Sequence, residues 1–260
     1  MKIVVLLKRT PDTEAKIKLV DGKLDLQDVQ FIMNPYDEFA LEEALQIKEK
    51  QGDVEVVVCS LGGDACRDVV VRGLAMGADR GVLVNVDDLS LGALDSLMIS
   101  KLLAAVVRRE SADLVLCGQQ GIDADNMHVG VMVAELLGWG HVNVVNKLQL
   151  QDSKQITAER EIEGGRIEVY TSPLPLVIGA NKALNSPRYV SLPGIMKAKR
   201  KPLDCLGSSD LNVEVGKAKS EVVAYEYPPA KPTGKVFKDK PVEDMVAEVV
   251  RLLRDEAKVI

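Results

Sequence analysis

Residues 113–137 read DLVLC, then GQQGIDADNMH, then VGVMVAELL. The first five, Asp113 through Cys117, have the short continuous apolar character of a strand buried on both faces. The last nine carry an apolar stripe at helical spacing. Between them Gly118, Gln119, Gln120, Gly121, Ile122, Asp123, Ala124, Asp125, Asn126, Met127 and His128 form a polar loop. A loop that leaves the carboxyl end of a strand and opens a helix is where doubly wound sheets bind ligands. At about eleven residues it is long beside the usual two to six for such a connection.

The loop is not a dinucleotide fingerprint. Gly118 and Gly121 make G-x-x-G without a third glycine in place, and no Gly-Lys-Ser/Thr follows to make a P-loop.

The same alternation extends upstream. Lys2–Leu7 is a buried parallel strand ended by Lys8-Arg9-Thr10-Pro11. Val20-Asp21-Gly22-Lys23 is a turn between two short extended pieces, as in a hairpin. Asn34 is a helix cap, Pro35 suits the first helical position, and Asp37 and Glu38 fill the first turn of a helix running to about Lys50, with Ala40, Leu41, Ala44, Leu45 and Ile47 as its apolar stripe. Residues 54–59 form a second strand, Ser60-Leu61-Gly62-Gly63-Asp64 a turn, and a helix follows to Met76 with Gly77 after it. Residues 80–84 form a third strand, and residues 89–109 a long helix with Leu94, Leu97, Leu102, Leu103 and Val106 inward. Four strand–helix alternations predict an α/β, three-layer Rossmann-like fold with a mostly parallel sheet.

Downstream the texture changes. Residues 142–150, 155–160 and 166–170 alternate polar and apolar, as an antiparallel meander does, with turns at 152–154 and 163–165. Residues 174–180 are one more apolar strand. Residues 186–196 are irregular and carry apolar side chains, and Lys197-Ala198-Lys199-Arg200-Lys201-Pro202 follows at once. A basic run beside Leu192, Ile195 and Met196 suggests partner docking. Residues 203–239 read as an extended arm, and residues 241–255 as an amphipathic helix whose apolar face, with Met245, Val246, Val249, Val250, Leu252 and Leu253, must be covered by this chain or a partner.

The chain has 260 residues, nearly half of them apolar, and a net charge of −6. That acidity argues against a general nucleic-acid surface, and nine aromatic residues (one Trp, three Phe, five Tyr) are too few to stack many bases. The four cysteines form no C-x-x-C pair, and Cys59 and Cys117 end strand-like runs, as buried thiols do. His128 and His141 are the only histidines, too few for a metal centre with these cysteines. No signal peptide or membrane segment is visible, so the expectation is a soluble, cytoplasmic protein of a reducing compartment, without direct membrane insertion. No G-x-S-x-G elbow, H-E-x-x-H motif or helically spaced Cys–His pair points to a hydrolase, and His128 reads as a loop residue hydrogen-bonded near a ligand.

Met33-Asn34-Pro35-Tyr36-Asp37, Met76-Gly77-Ala78-Asp79-Arg80, Gly118 to Asp125, and Ser186-Pro187-Arg188-Tyr189 through Met196-Lys197-Ala198-Lys199 occur in one order and at one spacing. Together they resemble the small, or β, subunits of electron-transfer flavoproteins, from Lys2 to the C-terminal helix. The resemblance implies an electron carrier subunit, not an enzyme in its own right. It implies pairing with a larger α subunit that holds most of the FAD, and a structural AMP in this subunit. It also implies electron transfer from flavin dehydrogenases of the acyl-CoA type, as in fatty acid oxidation, to a membrane quinone oxidoreductase or another acceptor. The family's AMP residues fall on Leu6, Asn34, Pro35, Tyr36, Asp37, Leu61 and the loop from Gly118 to Val129. Its dehydrogenase-docking segment falls on Arg188, Tyr189, Leu192, Pro193, Ile195, Met196, Lys197, Lys199 and Arg200, with Leu192 as the apolar anchor. The implied organisation is a nucleotide-binding domain over 1–186, a docking loop over 187–202, and an arm over 203–260 that wraps the larger subunit.

A bifurcating branch of the family carries a second FAD in place of AMP and usually shows Asp-Gly-Asp-Thr-Ala-Gln-Val in this loop. Here Ala124, Asn126 and His128 depart from that pattern, which favours AMP. The AMP branch often has a third Asp where Ala124 stands. Asn34-Pro35-Tyr36-Asp37 and Pro11-Asp12-Thr13 lean the other way, and Thr13 offers no aromatic ring to the flavin. A reading from another class is a stand-alone adenine-nucleotide sensor, which would need neither docking segment nor arm.

Overall fold

The computed structural model describes residues 1–86, 94–151, 154–231 and 233–260. Two compact units result, Met1–Ala224 and Tyr225–Ile260. The first runs β1 (Lys2–Leu7), β2 (Arg9–Pro11), β3 (Lys18–Val20), β4 (Lys23–Asp25), β5 (Phe31–Met33), α1 (Pro35–Gln51), β6 (Glu55–Gly62), α2 (Arg67–Met76), β7 (Arg80–Asn85), α3 (Ser96–Glu110), β8 (Leu114–Gly118) and α4 (His128–Leu137). It continues with β9 (Gly140–Gln151), β10 (Gln155–Ile162), β11 (Arg166–Pro173), β12 (Leu176–Ala180), α5 (Leu192–Ala198) and β13 (Leu203–Gly207). The second unit holds α6 (Val242–Arg251).

Among the described residues the main sheet has nine strands in the order β11-β10-β9-β12-β8-β1-β6-β7-β13. Pairing is parallel from β9 to β13, and β9, β10 and β11 form the antiparallel meander. The continuous apolar run of β1 follows from burial on both faces. Ile3, Val5 and Leu7 join a core with residues of α1 and α2, and Val4 and Leu6 a second core with residues of α3 and α4. From β1 the strand order runs one way through β6, β7 and β13 and the other way through β8, β12 and β9. The carboxyl ends of β1 and β8 therefore form the topological switch point, where such sheets open a crevice.

The three-layer α/β expectation holds, and several local expectations change. Ser60, Leu61 and Gly62 remain in β6 instead of forming a turn, because β6 pairs with both β1 and β7; a 3-10 turn at Asp64–Cys66 then leads into α2. α3 opens at Ser96 with Asp95 accepting the Met98 N–H at 2.9 Å; the expected start at Leu89 lies outside the described residues, as do Asp152 and Ser153 of the expected meander turn. Residues 186–196, expected to be irregular, contain the start of a short helix, α5, capped by Ser191, whose Oγ accepts the Gly194 N–H at 3.2 Å. Residues 203–207, expected as extended arm, form β13 and pair with β7, with buried Leu211 following. Five residues with one free edge to pair on need no strong sequence period.

Candidate functional site

The carboxyl edge of the sheet is built around Asp37. α1 begins where the chain turns back from β5, with Pro35 at its first position. This brings the Asp37 carboxylate over the switch point. Its oxygens accept the backbone N–H groups of Lys8 at 2.7 Å and Gly118 at 2.9 Å, one just past the end of β1 and the other in the last residue of β8. Asn34 Nδ2 donates a third bond at 2.9 Å. Burial pushes the Asp37 carboxyl up to about 7, against the pull of these three donors. Gly118 is required here: a Cβ would lie 2.5 Å from Asp37 Oδ1 and 2.6 Å from Tyr36 Cβ.

Asn34 takes the capping position, but its side chain makes no cap bond. It crosses to the loop instead, where Nδ2 donates to the Gln120 carbonyl at 2.9 Å and Oδ1 accepts the Ile122 N–H at 3.2 Å. The loop then curls on itself. The Gly121 carbonyl accepts the N–H groups of Ala124 at 3.4 Å and Asp125 at 2.9 Å, and Asp125 and Met127 adopt left-handed backbone. Both loop carboxylates have partners: Lys8 Nζ meets Asp123 Oδ1 at 2.7 Å, and Gln120 Nε2 meets Asp125 Oδ1 at 2.5 Å. α4 follows, with Asn126 Oδ1 accepting the His128 N–H at 3.3 Å and no cap bond from Met127. Its orphan N–H groups and the positive end of its dipole make an anion-compatible mouth.

Leu6, Leu61 and Val129 belong to or pack against one apolar cluster on the α3/α4 face. The expected residues from α1, β1, β6, β8 and the loop therefore lie at the carboxyl edge of the sheet, with Ala124 and Asn126 on the exposed part of the loop. His128 Nδ1 lies 3.4 Å from Ser96 Oγ, so the first residues of α3 and α4 meet.

Sequence reasoning missed Lys8, Ser96, Asn143 and Asn181. Lys8 was findable, since the residue after a parallel strand stands at the ligand edge. The asparagines had no local signal: Asn143 Nδ2 donates to the Gln119 carbonyl at 3.3 Å and Asn181 Nδ2 to Gln119 Oε1 at 2.9 Å. Next to Asn143, Val144 has φ 61°, strained for a β-branched residue, where the β9–β12 register shifts. Cys59 and Cys117 are buried, and burial pushes each thiol up to about 12, so neither is a nucleophile at neutral pH.

The segment expected to dock lies at the opposite edge. After β12 the chain descends along α1, and α5 packs on α2 near its carboxyl-terminal end. Tyr189 is 100% exposed, Leu192 79% and Met196 69%, with Ile195 also exposed. Pro193 sits in the first turn of α5. Lys197, Lys199 and Arg200 are exposed beside them, whereas Arg188 and Lys201 turn inward to protein acceptors.

Among the described residues no helix is long and apolar enough to cross a membrane, and no three His, Cys, Asp or Glu residues gather as a metal site. A family model described as Electron transfer flavoprotein domain matches residues 21–210. The chain is 40% identical to the electron transfer flavoprotein subunit beta of Bacillus subtilis (strain 168), over 100% of both chains. It is 39% identical to the electron transfer flavoprotein subunit beta, mitochondrial, of Arabidopsis thaliana, again over 100% of both, and 36% identical to the electron transfer flavoprotein subunit beta of Homo sapiens over 98% of each. Matches of this extent establish that the chain belongs to the family of electron transfer flavoprotein β subunits.

Proposed function

We propose that this chain holds a structural AMP at the carboxyl-edge crevice and pairs with a larger α subunit that carries the FAD. The heterodimer accepts electrons from acyl-CoA-type flavin dehydrogenases and passes them to a quinone oxidoreductase or a comparable acceptor. The chain itself turns over no substrate. The observation that carries the nucleotide assignment is the meeting of Asn34, Asp37 and the loop from Gly118 to Val129 at the switch point, beside Leu6 and the start of α4. These residues fit a nucleoside monophosphate. The first turn of α4 and Lys8 suit one phosphate group, and Leu6, Leu61 and Val129 offer an apolar bed for a base. The flavin of the larger subunit supplies the electron-carrying chemistry.

Two surfaces support the partners. α5 displays Leu192 and Met196 beside three outward basic side chains, an apolar anchor with charge around it for steering. In the second unit, no residue of α6 is buried although the helix is strongly amphipathic, as expected of an arm that lies on a larger subunit. The reading includes a reducing, cytoplasmic setting, in keeping with four cysteines that form no disulfide.

Nucleotide released from the purified heterodimer by denaturation and separated by chromatography tests the assignment. One FAD and one AMP per heterodimer is the expected content. Two FAD and no AMP would overturn it in favour of a bifurcating subunit. A monomer that responds to ATP and takes no larger subunit would overturn it in favour of a sensor.

A further inference from the structure

The docking segment is held down at both ends by groups of α1 and α2. At its start, Arg188 Nε and Nη2 donate to the two oxygens of Glu42 at 2.8 and 3.1 Å, and Nη1 and Nη2 to those of Glu49 at 2.6 and 3.2 Å. The Arg188 backbone N–H adds a bond to Glu42 at 3.1 Å. Glu42 is buried. Burial works to raise its carboxyl, and the bonds from Arg188 and Gln46 nonetheless hold it below the ordinary value. Asn185 Nδ2, three residues earlier, donates to the Phe39 carbonyl and to Glu43, both at 3.0 Å. At the far end Lys201 Nζ donates to the carbonyls of Leu74 at 3.0 Å and Ala78 at 2.5 Å, where the end of α2 leaves carbonyls without helical partners. Between the two ends, Gly194 approaches α2 so closely that a Cβ would lie 2.5 Å from the Ala75 carbonyl oxygen.

We propose that Arg188, gripped by Glu42 and Glu49, is a positioning residue that fixes α5 in the orientation from which Leu192 and Met196 engage the dehydrogenase, and is not itself a docking charge. This rests on the docking role proposed above for α5. A guanidinium whose fork is shared between two carboxylates has its charge neutralised and its donors occupied, so it offers little to a partner. A seven-residue helix is too short to persist unaided, so its order comes from these tertiary bonds. An anchor held in place before encounter loses less freedom on binding.

The sign of one substitution decides the matter. Glu42→Gln in the heterodimer removes a negative charge and loosens the grip on Arg188. If Arg188 were a docking charge, transfer from the dehydrogenase would be unchanged or faster. The clamp gives the opposite: the bimolecular rate constant falls roughly tenfold. Trypsin cleavage after Lys197, Lys199 and Arg200, followed by mass spectrometry, accelerates by about the same factor because α5 opens locally more often. Nucleotide content stays unchanged. Arg188→Lys, which keeps the charge but loses the fork, behaves like Glu42→Gln. Equal or faster transfer in Glu42→Gln, or unchanged cleavage, overturns the proposal. Leu192→Ala, assayed alongside, separates the two failures. If it leaves transfer intact, the docking role of α5 falls and the positioning role with it. If it slows transfer while Glu42→Gln does not, only the clamp falls.

Discussion

At the carboxyl edge of the sheet Asp37 is buried among three N–H donors, while at the amino edge Leu192 stands 79% exposed beside Tyr189 and Met196. The two edges belong to the same strands and helices. The first is polar and satisfied from within: Asp37 ties β1 to β8, Asn34 ties α1 to the loop, and Lys8 holds Asp123. The second turns Arg188 and Lys201 inward and leaves apolar side chains outward beside Lys197, Lys199 and Arg200. A site for a small anion needs donors fixed in place before binding. A surface for brief protein encounters needs an exposed anchor on a firm base. Burial of polar groups and exposure of apolar ones are the informative departures in this chain.

Substitutions at the two edges should separate stability from transfer. The largest effect is expected for Gly118→Val, which forces a side chain into Asp37 and Tyr36. It should cost about 3 kcal/mol or more and abolish nucleotide retention, read by urea unfolding and nucleotide content. Retention of the nucleotide would mean that the Asp37 knot is not what shapes the crevice.

Asp37→Asn comes next, at about 2 kcal/mol, because an amide NH2 would face N–H donors. It also carries a pH signature. Asp37 has its folded value raised from 3.8 to about 7. Its contribution to stability is therefore greatest below the unfolded value, falls as pH rises from about 4 to about 7, and is level above that, by roughly 4 kcal/mol in all. The variant should flatten the unfolding free energy across that window, and an unchanged profile would refute the assignment.

Leu192→Ala should slow reduction by the dehydrogenase about tenfold while leaving the melting temperature and nucleotide content unchanged. A loss of stability instead would make Leu192 part of this chain's own packing. The smallest effect is expected for Asp123→Asn. The Lys8 pair is half-exposed, so less than about 1 kcal/mol of stability is at stake, and the change should appear as faster nucleotide release. Unaltered release would place the nucleotide elsewhere than against this loop.

Much of the body was legible because its signals are local. The runs in β1, β6, β7 and β8 are apolar without interruption, and in the structure alternate residues feed two cores, as burial on both faces demands. Pro35 and the acids after it announced α1. The α6 pattern announced an apolar face, and no residue of that helix is buried. β13 escaped because a five-residue edge strand is stabilised by its neighbour β7 more than by its own pattern. Arg188 read as one more charge in a basic segment, and nothing near it in sequence announced Glu42, 146 residues away.

The sequence by itself determined the layer type, the alternation of strand and helix, the long loop between β8 and α4 and the family, because periodicity and ordered motifs are properties of neighbours along the chain. Tertiary structure alone decided what those groups do. Asn34 looks like a cap and instead holds a loop 86 and 88 residues onward. Asp37 looks like a first-turn acid and instead closes the switch point, and Arg188 looks like a docking charge and is gripped by α1. The physical reason is that a hydrogen-bond partner is chosen by which strand ends and helix faces the topology brings within about 3 Å, a distance on which local pattern has no hold.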